Sequence, residues 1–343
     1  MNPLLTVILI DSVKIAIVLV VLMAAVAYTT YAERRFAAFF QGRVGPNRAG
    51  PLGLLQPLAD GIKFMFKEDF VPRFTDPILF RLAPIMAFAP TLMLIGVIPF
   101  GPPILNIAGI DVPLQIADPN FGVLYFFAVG SFGVYGVLVA GWASNNKFSI
   151  MGGMRAASMM ISYEAGLGLA AIGLFMTAGS VQLSTIVADQ GTFAGWYVWK
   201  QPLGFFIFLV ATFAETHRTT FDLPEAEQEL VGGYHTEYGS MQLGLFQMGE
   251  FAHMIAASTL LVTLYFGGWQ FQFLGRLSGS PLLYAFAGIA VFSIKTFAMI
   301  FFFIWVRWTL PRFRYDQLMR LGWKVLVPLA LVNIVITAVT ILI

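Results

Sequence analysis

The chain has 343 residues, 58% of them hydrophobic and 11% charged, with a mean hydropathy of +0.80; a soluble domain carries roughly 25% charged residues, so this composition excludes a water-covered globule. It contains no cysteine, which removes iron–sulfur ligation, c-type haem attachment and disulfides from this polypeptide. The formal net charge of +2 is less informative than where the charges fall.

About 20 consecutive apolar residues cross a bilayer as a helix. Eight such stretches are expected, at 4–31, 79–100, 121–142, 156–178, 202–219, 243–266, 282–306 and 325–343. The fifth is the weakest, because Pro202 opens it and Glu215 lies near its end. The expectation is an all-α polytopic membrane protein, one transmembrane domain over 1–343. No cleavable leader is expected, since the first apolar segment is too long for a signal core and Glu33-Arg34-Arg35 follows it. Eight spans leave the loops 32–78, 143–155, 220–242 and 307–324 on one face. With the adjoining helix ends, these hold sixteen of the twenty Lys and Arg. The positive-inside rule makes that face cytoplasmic and both termini periplasmic. No internal repeat is visible, which weighs against an inverted-repeat transporter.

Charges inside the spans cost at least ~2.5–3.5 kcal/mol each by insertion scales, so each needs a partner, water or a function. Asp11 and Lys14, one turn apart, can neutralise each other. Glu33-Arg34-Arg35 closes the first span; the arginines are ordinary anchors, whereas the positive-inside rule does not call for the glutamate. Gly42-Arg43-Val44-Gly45-Pro46-Asn47-Arg48 has tight-turn chemistry. At 53–68, Leu54, Leu58, Ile62 and Met65 share one stripe and Gln56, Asp60, Lys63 and Lys67 the other, predicting an interfacial helix. That helix either anchors the loop or walls a ligand cavity.

Glu164 lies nine residues beyond Arg155, roughly 13 Å along a helix, with no basic residue within four positions. A buried carboxyl of this kind suits proton uptake and release. Glu250 has His253 one turn on, and Lys295 sits mid-way along the seventh span. Four ionisable groups spread over three helices favour a buried proton path over isolated structural pairs. The segment 214–240 carries Glu215, Asp222, Glu225, Glu227, Glu229 and Glu237 against Arg218 and two histidines. Asp222 with Glu225 has capping-box spacing and Pro224 suits a first turn, so a short helix should start there with Glu225 and Glu229 on one face. Interleaved Phe221, Leu223, Leu230, Val231, Tyr234 and Tyr238 predict that the loop packs into the protein, where clustered carboxylates would raise one another's affinity for protons. The three histidines are too scattered for a local metal motif.

These residues resemble the family of bacterial respiratory complex I membrane subunits whose mitochondrial counterpart is called NADH dehydrogenase subunit 1. The resemblance runs nearly end to end. It includes Ala32-Glu33-Arg34-Arg35, the 42–48 turn, Leu54-Leu55-Gln56-Pro57-Leu58-Ala59-Asp60-Gly61, Lys67-Glu68-Asp69, Ile161-Ser162-Tyr163-Glu164, Ala214-Glu215-Thr216, Phe221-Asp222-Leu223-Pro224-Glu225, Glu229-Leu230-Val231, Glu237-Tyr238 and Trp305-Val306-Arg307 through Gln317. It implies a bacterial inner-membrane subunit that is not itself redox-active and that walls a quinone chamber. Quinone is then the substrate, and FMN and iron–sulfur clusters belong to partner subunits of a peripheral arm. Antiporter-like membrane subunits are the other implied partners; no nucleic acid, covalent cofactor, metal site or catalytic residue is expected here. Glu33, Arg34, Arg35 and Arg307 should border the quinone path. Glu164, Glu215, Asp222, Glu225, Glu227, Glu229, Glu250 and Lys295 should couple protons. His217 and Thr220 stand where the family usually has Asn and Pro, Gln242 where Lys is common and Met159 where Gln is common. The alternatives are the homologous subunit of a membrane-bound hydrogenase or ferredoxin-driven dehydrogenase, or a stand-alone ion transporter.

Overall fold

The computed structural model describes residues 3–107, 110–216, 221–223, 227–272 and 280–342. The helices are α1 (Pro3–Phe40), α2 (Gln56–Phe66), α3 (Pro77–Leu94), α4 (Gly122–Ala143), α5 (Lys147–Ala178), α6 (Leu183–Asp189), α7 (Tyr197–Lys200), α8 (Pro202–Glu215), α9 (Glu227–Leu230), α10 (Ser240–Tyr265), α11 (Pro281–Thr309), α12 (Tyr315–Arg320) and α13 (Val327–Leu342). A six-residue π segment, Leu321–Leu326, joins α12 to α13 in one continuous rod. Among the described residues, seven helices are long and apolar enough to cross a membrane. The eighth expected span, α8, has 14 residues, about 21 Å of helix, and ends at Glu215 rather than running to 219. The helical architecture gains one two-stranded antiparallel hairpin, β1 (Ile104–Ile107) with β2 (Ile110–Val112).

Local chemistry sets the boundaries. Asp76 caps α3, its carboxylate accepting from the backbone N–H of Ile78 (3.0 Å) and Leu79 (3.2 Å), and Pro77 occupies the first turn. Asn146 caps α5 in the same way, and Gly179 ends it at φ 66°, a left-handed terminus that glycine adopts without strain. α1 runs past the expected end at 31 to Phe40. Glu33-Arg34-Arg35 does not break it, because all three are good helix formers, and Phe36-Ala37-Ala38-Phe39-Phe40 continues the apolar turn.

Four loops meet at one end of the bundle, as the sequence leads one to expect. The Asn145 side chain donates to the carbonyl of Phe74 (3.0 Å), and that of Asn146 donates to Glu237 (2.6 Å). The Ser240 hydroxyl reaches the end of α2, Arg155 pairs with Glu229 (2.8 Å) and Arg307 pairs with Glu33. At the other end Gln201, opening α8, bonds Thr177 of α5 and Thr337 of α13, both 2.9 Å, and Lys14 pairs with Asp11 (2.8 Å) while donating to the carbonyl of Gln115.

Helices α3 and α4 approach closely because Gly136 has no side chain: a Cβ there would fall 2.4 Å from the Ala87 backbone nitrogen and 2.6 Å from its Cα. Since backbone cannot yield as a side-chain tip can, Gly136→Ala should prise the pair apart and cost about 1–3 kcal/mol. The expected result is a lower melting temperature of the detergent-purified protein. An unchanged melt would mean that the two helices separate freely.

Candidate functional site

A cavity of about 530 Å³ lies between α1, α2, α10 and α11 at the four-loop end. Pockets for organic ligands run from ~300 to 1,000 Å³, so it can take a sizeable apolar molecule. Its walls are Met23, Val26, Phe64, Met65, Met248 and Phe251, and its polar groups are Glu33, Arg34, Arg43, Asp60, Gln247, Glu250 and Arg307. Glu33 is only 6% exposed and accepts from the Arg307 guanidinium, so α1 and α11 are joined by an ion pair that faces the cavity. Arg34 pairs with Asp60, to which Gln56 also donates (3.0 Å), stitching α2 to α1. Successive helical residues point about 100° apart, and Arg35 therefore leaves this set. It donates to the carbonyls of Leu52 (3.1 Å) and Pro46 (3.3 Å) and borders a separate groove with Phe36, Phe39 and Phe301.

Of the two roles weighed for the interfacial helix, the structure shows α2 walling the cavity. Leu58 on its apolar stripe faces outward, 63% exposed, while Pro57, Asp60, Gly61 and Phe64 wall the cavity and Met65, 72% exposed, stands at its rim. Arg43, Asp60, Gln247 and the methionines border the cavity although the sequence placed none of them among the expected site residues. Asp60 reads as a solvated polar edge until Arg34 is placed beside it.

A second cavity of about 50 Å³ lies deeper, between α3, α4, α8 and α10. Glu215, Tyr234, Glu250 and His253 border it, and Glu250 borders both cavities. The Tyr234 hydroxyl donates to Glu250 Oε1 (3.0 Å), and His253 Nε2 lies 3.6 Å from Glu215 Oε1. Glu164 accepts from the Ser131 hydroxyl and lies within electrostatic reach of Glu215. Three segments far apart in sequence thus bring Glu164, Glu215 and Glu250 into one partly buried series.

The family model for NADH dehydrogenase matches residues 13–338. The chain belongs to that family. It is 52% identical over 315 residues to an NADH-quinone oxidoreductase subunit (the first of the H type) of Cytophaga hutchinsonii, covering 92% of each chain. It is 50% identical to the H-type subunit of the NADH-quinone oxidoreductase of Flavobacterium johnsoniae, covering 96% of this chain and 95% of that one. Against the second H-type NADH-quinone oxidoreductase subunit of Geobacter sulfurreducens the identity is 51%, with the same coverage.

In this NADH dehydrogenase family member the remaining candidates stand outside that series. Glu229 lies on the surface, and the Arg155 guanidinium that donates to it holds its carboxyl below the usual range, helped by Arg312 and Arg314. This corrects the expectation that the loop carboxylates all raise one another: at Glu229 basic side chains from distant segments outweigh the partial loss of solvent. The backbone carbonyl of Asp222 accepts from Arg312. Glu227 opens α9; Glu225 and the helix start expected beside it, with His217 and Thr220, lie outside the described residues. The loop does pack inward, with Phe221, Leu223, Leu230, Tyr234 and Tyr238 buried, although Val231 is 65% exposed.

Lys295 donates to the carbonyls of Phe266 (2.7 Å), Gly268 (3.0 Å) and Gln270 (2.7 Å) and lies 4.6 Å from the Trp196 ring centroid. All three ammonium protons are engaged, about 24 Å along α10 from Glu250 by helical rise. Its geometry is that of a pin between α11 and the segment after α10. Among the described residues, no three His, Asp or Glu side chains gather as a metal ion requires.

Proposed function

We propose that this chain is the membrane subunit of a proton-translocating NADH:quinone oxidoreductase, walling the quinone chamber and coupling quinone reduction to proton movement. The observation that carries the reading is the position of Glu250, one carboxylate bordering both the large cavity and the small one that Glu215 and His253 also line. The methionine and phenylalanine walls suit an isoprenoid tail, and the guanidinium groups of Arg34 and Arg307 at the polar end suit the ring oxygens. Reduction of a quinone to a quinol takes two electrons and two protons. The electrons would come from flavin and iron–sulfur carriers on partner subunits, so this chain supplies binding and protons but no redox group. Charge appearing beside Glu33 and Arg307 would bias the protonation of Glu250, then of Glu215 and Glu164, and antiporter-like partner subunits would receive that change. The whole chain acts as one membrane domain in the bacterial inner membrane. Its basic four-loop end is cytoplasmic beneath the peripheral arm, and both termini are periplasmic.

The test is photolabelling of the intact complex with a quinone bearing a photoreactive group on its tail. Adducts are expected on Met248 or Phe251, suppressed by excess quinone. Labelling confined to outward apolar positions such as Val20, Val21 and Ile336 would overturn the chamber.

A further inference from the structure

The small cavity is bordered by a titratable group that the carboxylate series by itself does not use. His253 follows Glu250 by three residues on α10, so the two side chains leave the same face of the helix, and both border the small cavity. The histidine Nε2 lies 3.6 Å from Glu215 Oε1. That is too long for a direct hydrogen bond and suitable for a slight approach or a bridging water. A cavity of about 50 Å³ exceeds the ~10–15 Å³ that one water needs. We propose that His253 is the proton carrier between Glu250 and Glu215.

The inference rests on the coupling function proposed above and names the step inside it. The groups facing the ring are set by what packs around the cavity. From α3 come Ala87, Pro90, Thr91 and Leu94, from α4 Gly130, Gly133 and Val137, and from α5 Met160. The titratable neighbours are therefore Glu215 from α8, Tyr234 from the loop and Glu250 from α10 itself, and among the described residues no Lys or Arg borders the space. Of these lining groups, histidine is the one that can become cationic. An imidazole can accept a proton on one nitrogen and release one from the other. The step balances simply. Protonated Glu250 gives its proton to neutral His253, leaving a carboxylate beside an imidazolium; the imidazolium then gives a proton to ionised Glu215 and returns to neutral. At no point do two bare carboxylates face each other across the cavity without a cation between them, an arrangement that a site of low dielectric penalises. Tyr234 holds Glu250 by a 3.0 Å hydrogen bond and positions it for the transfer.

The experiment uses the intact complex reconstituted in liposomes, with His253→Asn, His253→Gly and, for reference, Glu215→Gln. NADH oxidation by a soluble artificial acceptor should be unchanged in each. His253→Asn should lower quinone-linked proton pumping by about tenfold or more and change the shape of its pH profile. Added imidazole should restore His253→Gly, following imidazole's own titration. Asparagine preserves polarity and bulk, so full pumping with an unaltered pH profile in His253→Asn would overturn the proposal while a loss in Glu215→Gln kept the carboxylate series. Full pumping in both would remove the series itself. If His253→Asn does not assemble, imidazole recovery of His253→Gly supports the carrier role and its failure overturns it.

Discussion

Glu250→Gln in the intact complex is expected to cut NADH:quinone turnover and coupled pumping by about tenfold or more, the scale of a lost proton-transfer group. Assembly and NADH oxidation by a soluble acceptor should survive. The substitution is nearly isosteric, and the amide oxygen can still accept from the Tyr234 hydroxyl that now bonds Glu250 Oε1 (3.0 Å). What disappears is a group at the junction of the two cavities able to hold a proton and give it up. Glu250→Asp keeps the acid but withdraws it by one methylene, and should fall between the wild type and glutamine. Tyr234→Phe removes only the positioning bond and should have the smallest effect. If Glu250→Gln pumps at the normal rate while Glu215→Gln does not, the two cavities are not in series and protons reach Glu215 from elsewhere.

The membrane rods were legible because apolar length is a local property: seven of eight expected stretches are helices of spanning length. α8 is the exception for a reason that a hydropathy pattern does not carry. Its first residues are anchored by the Gln201 hydrogen bonds and its last carboxylate must reach the cavity, which leaves 14 residues of helix. Charged positions were legible as expensive residues; their partners were not, since partners come from distant segments. The pattern shows Lys295 as a charge in a span, but the acceptors that hold it are backbone carbonyls, which have no sequence signature. The arginine that lowers Glu229 is 74 residues away. Of the triplet at the end of the first span, Glu33 and Arg34 enter the cavity and Arg35 does not. Only the helical angle between neighbours, applied once α1 is known to continue, separates them. His253 was legible one turn beyond Glu250 on the same helical face, but its approach to Glu215 was not, because that carboxylate comes from α8.

The ion pair at the chamber's polar end gives a result that separates stability from function. Arg307→Met should destabilise the protein by about 3 kcal/mol, the low end for breaking a buried pair, because Arg307 keeps partial access to the cavity (28% exposed) while Glu33 is 8% exposed by side chain. The penalty arises from leaving a carboxylate in a poorly solvated place without its cation. Combining Arg307→Met with Glu33→Gln removes both charges, so the double variant should recover most of the lost melting temperature. Turnover with quinone should not recover with it. The apparent quinone requirement should stay raised in the double variant, since the guanidinium facing the chamber is still absent. A double variant restored in both respects would make the pair a structural clamp between α1 and α11, with no part in handling the ligand. Recovery of stability alone assigns Arg307 to the ligand and makes Glu33 the residue that holds it in place.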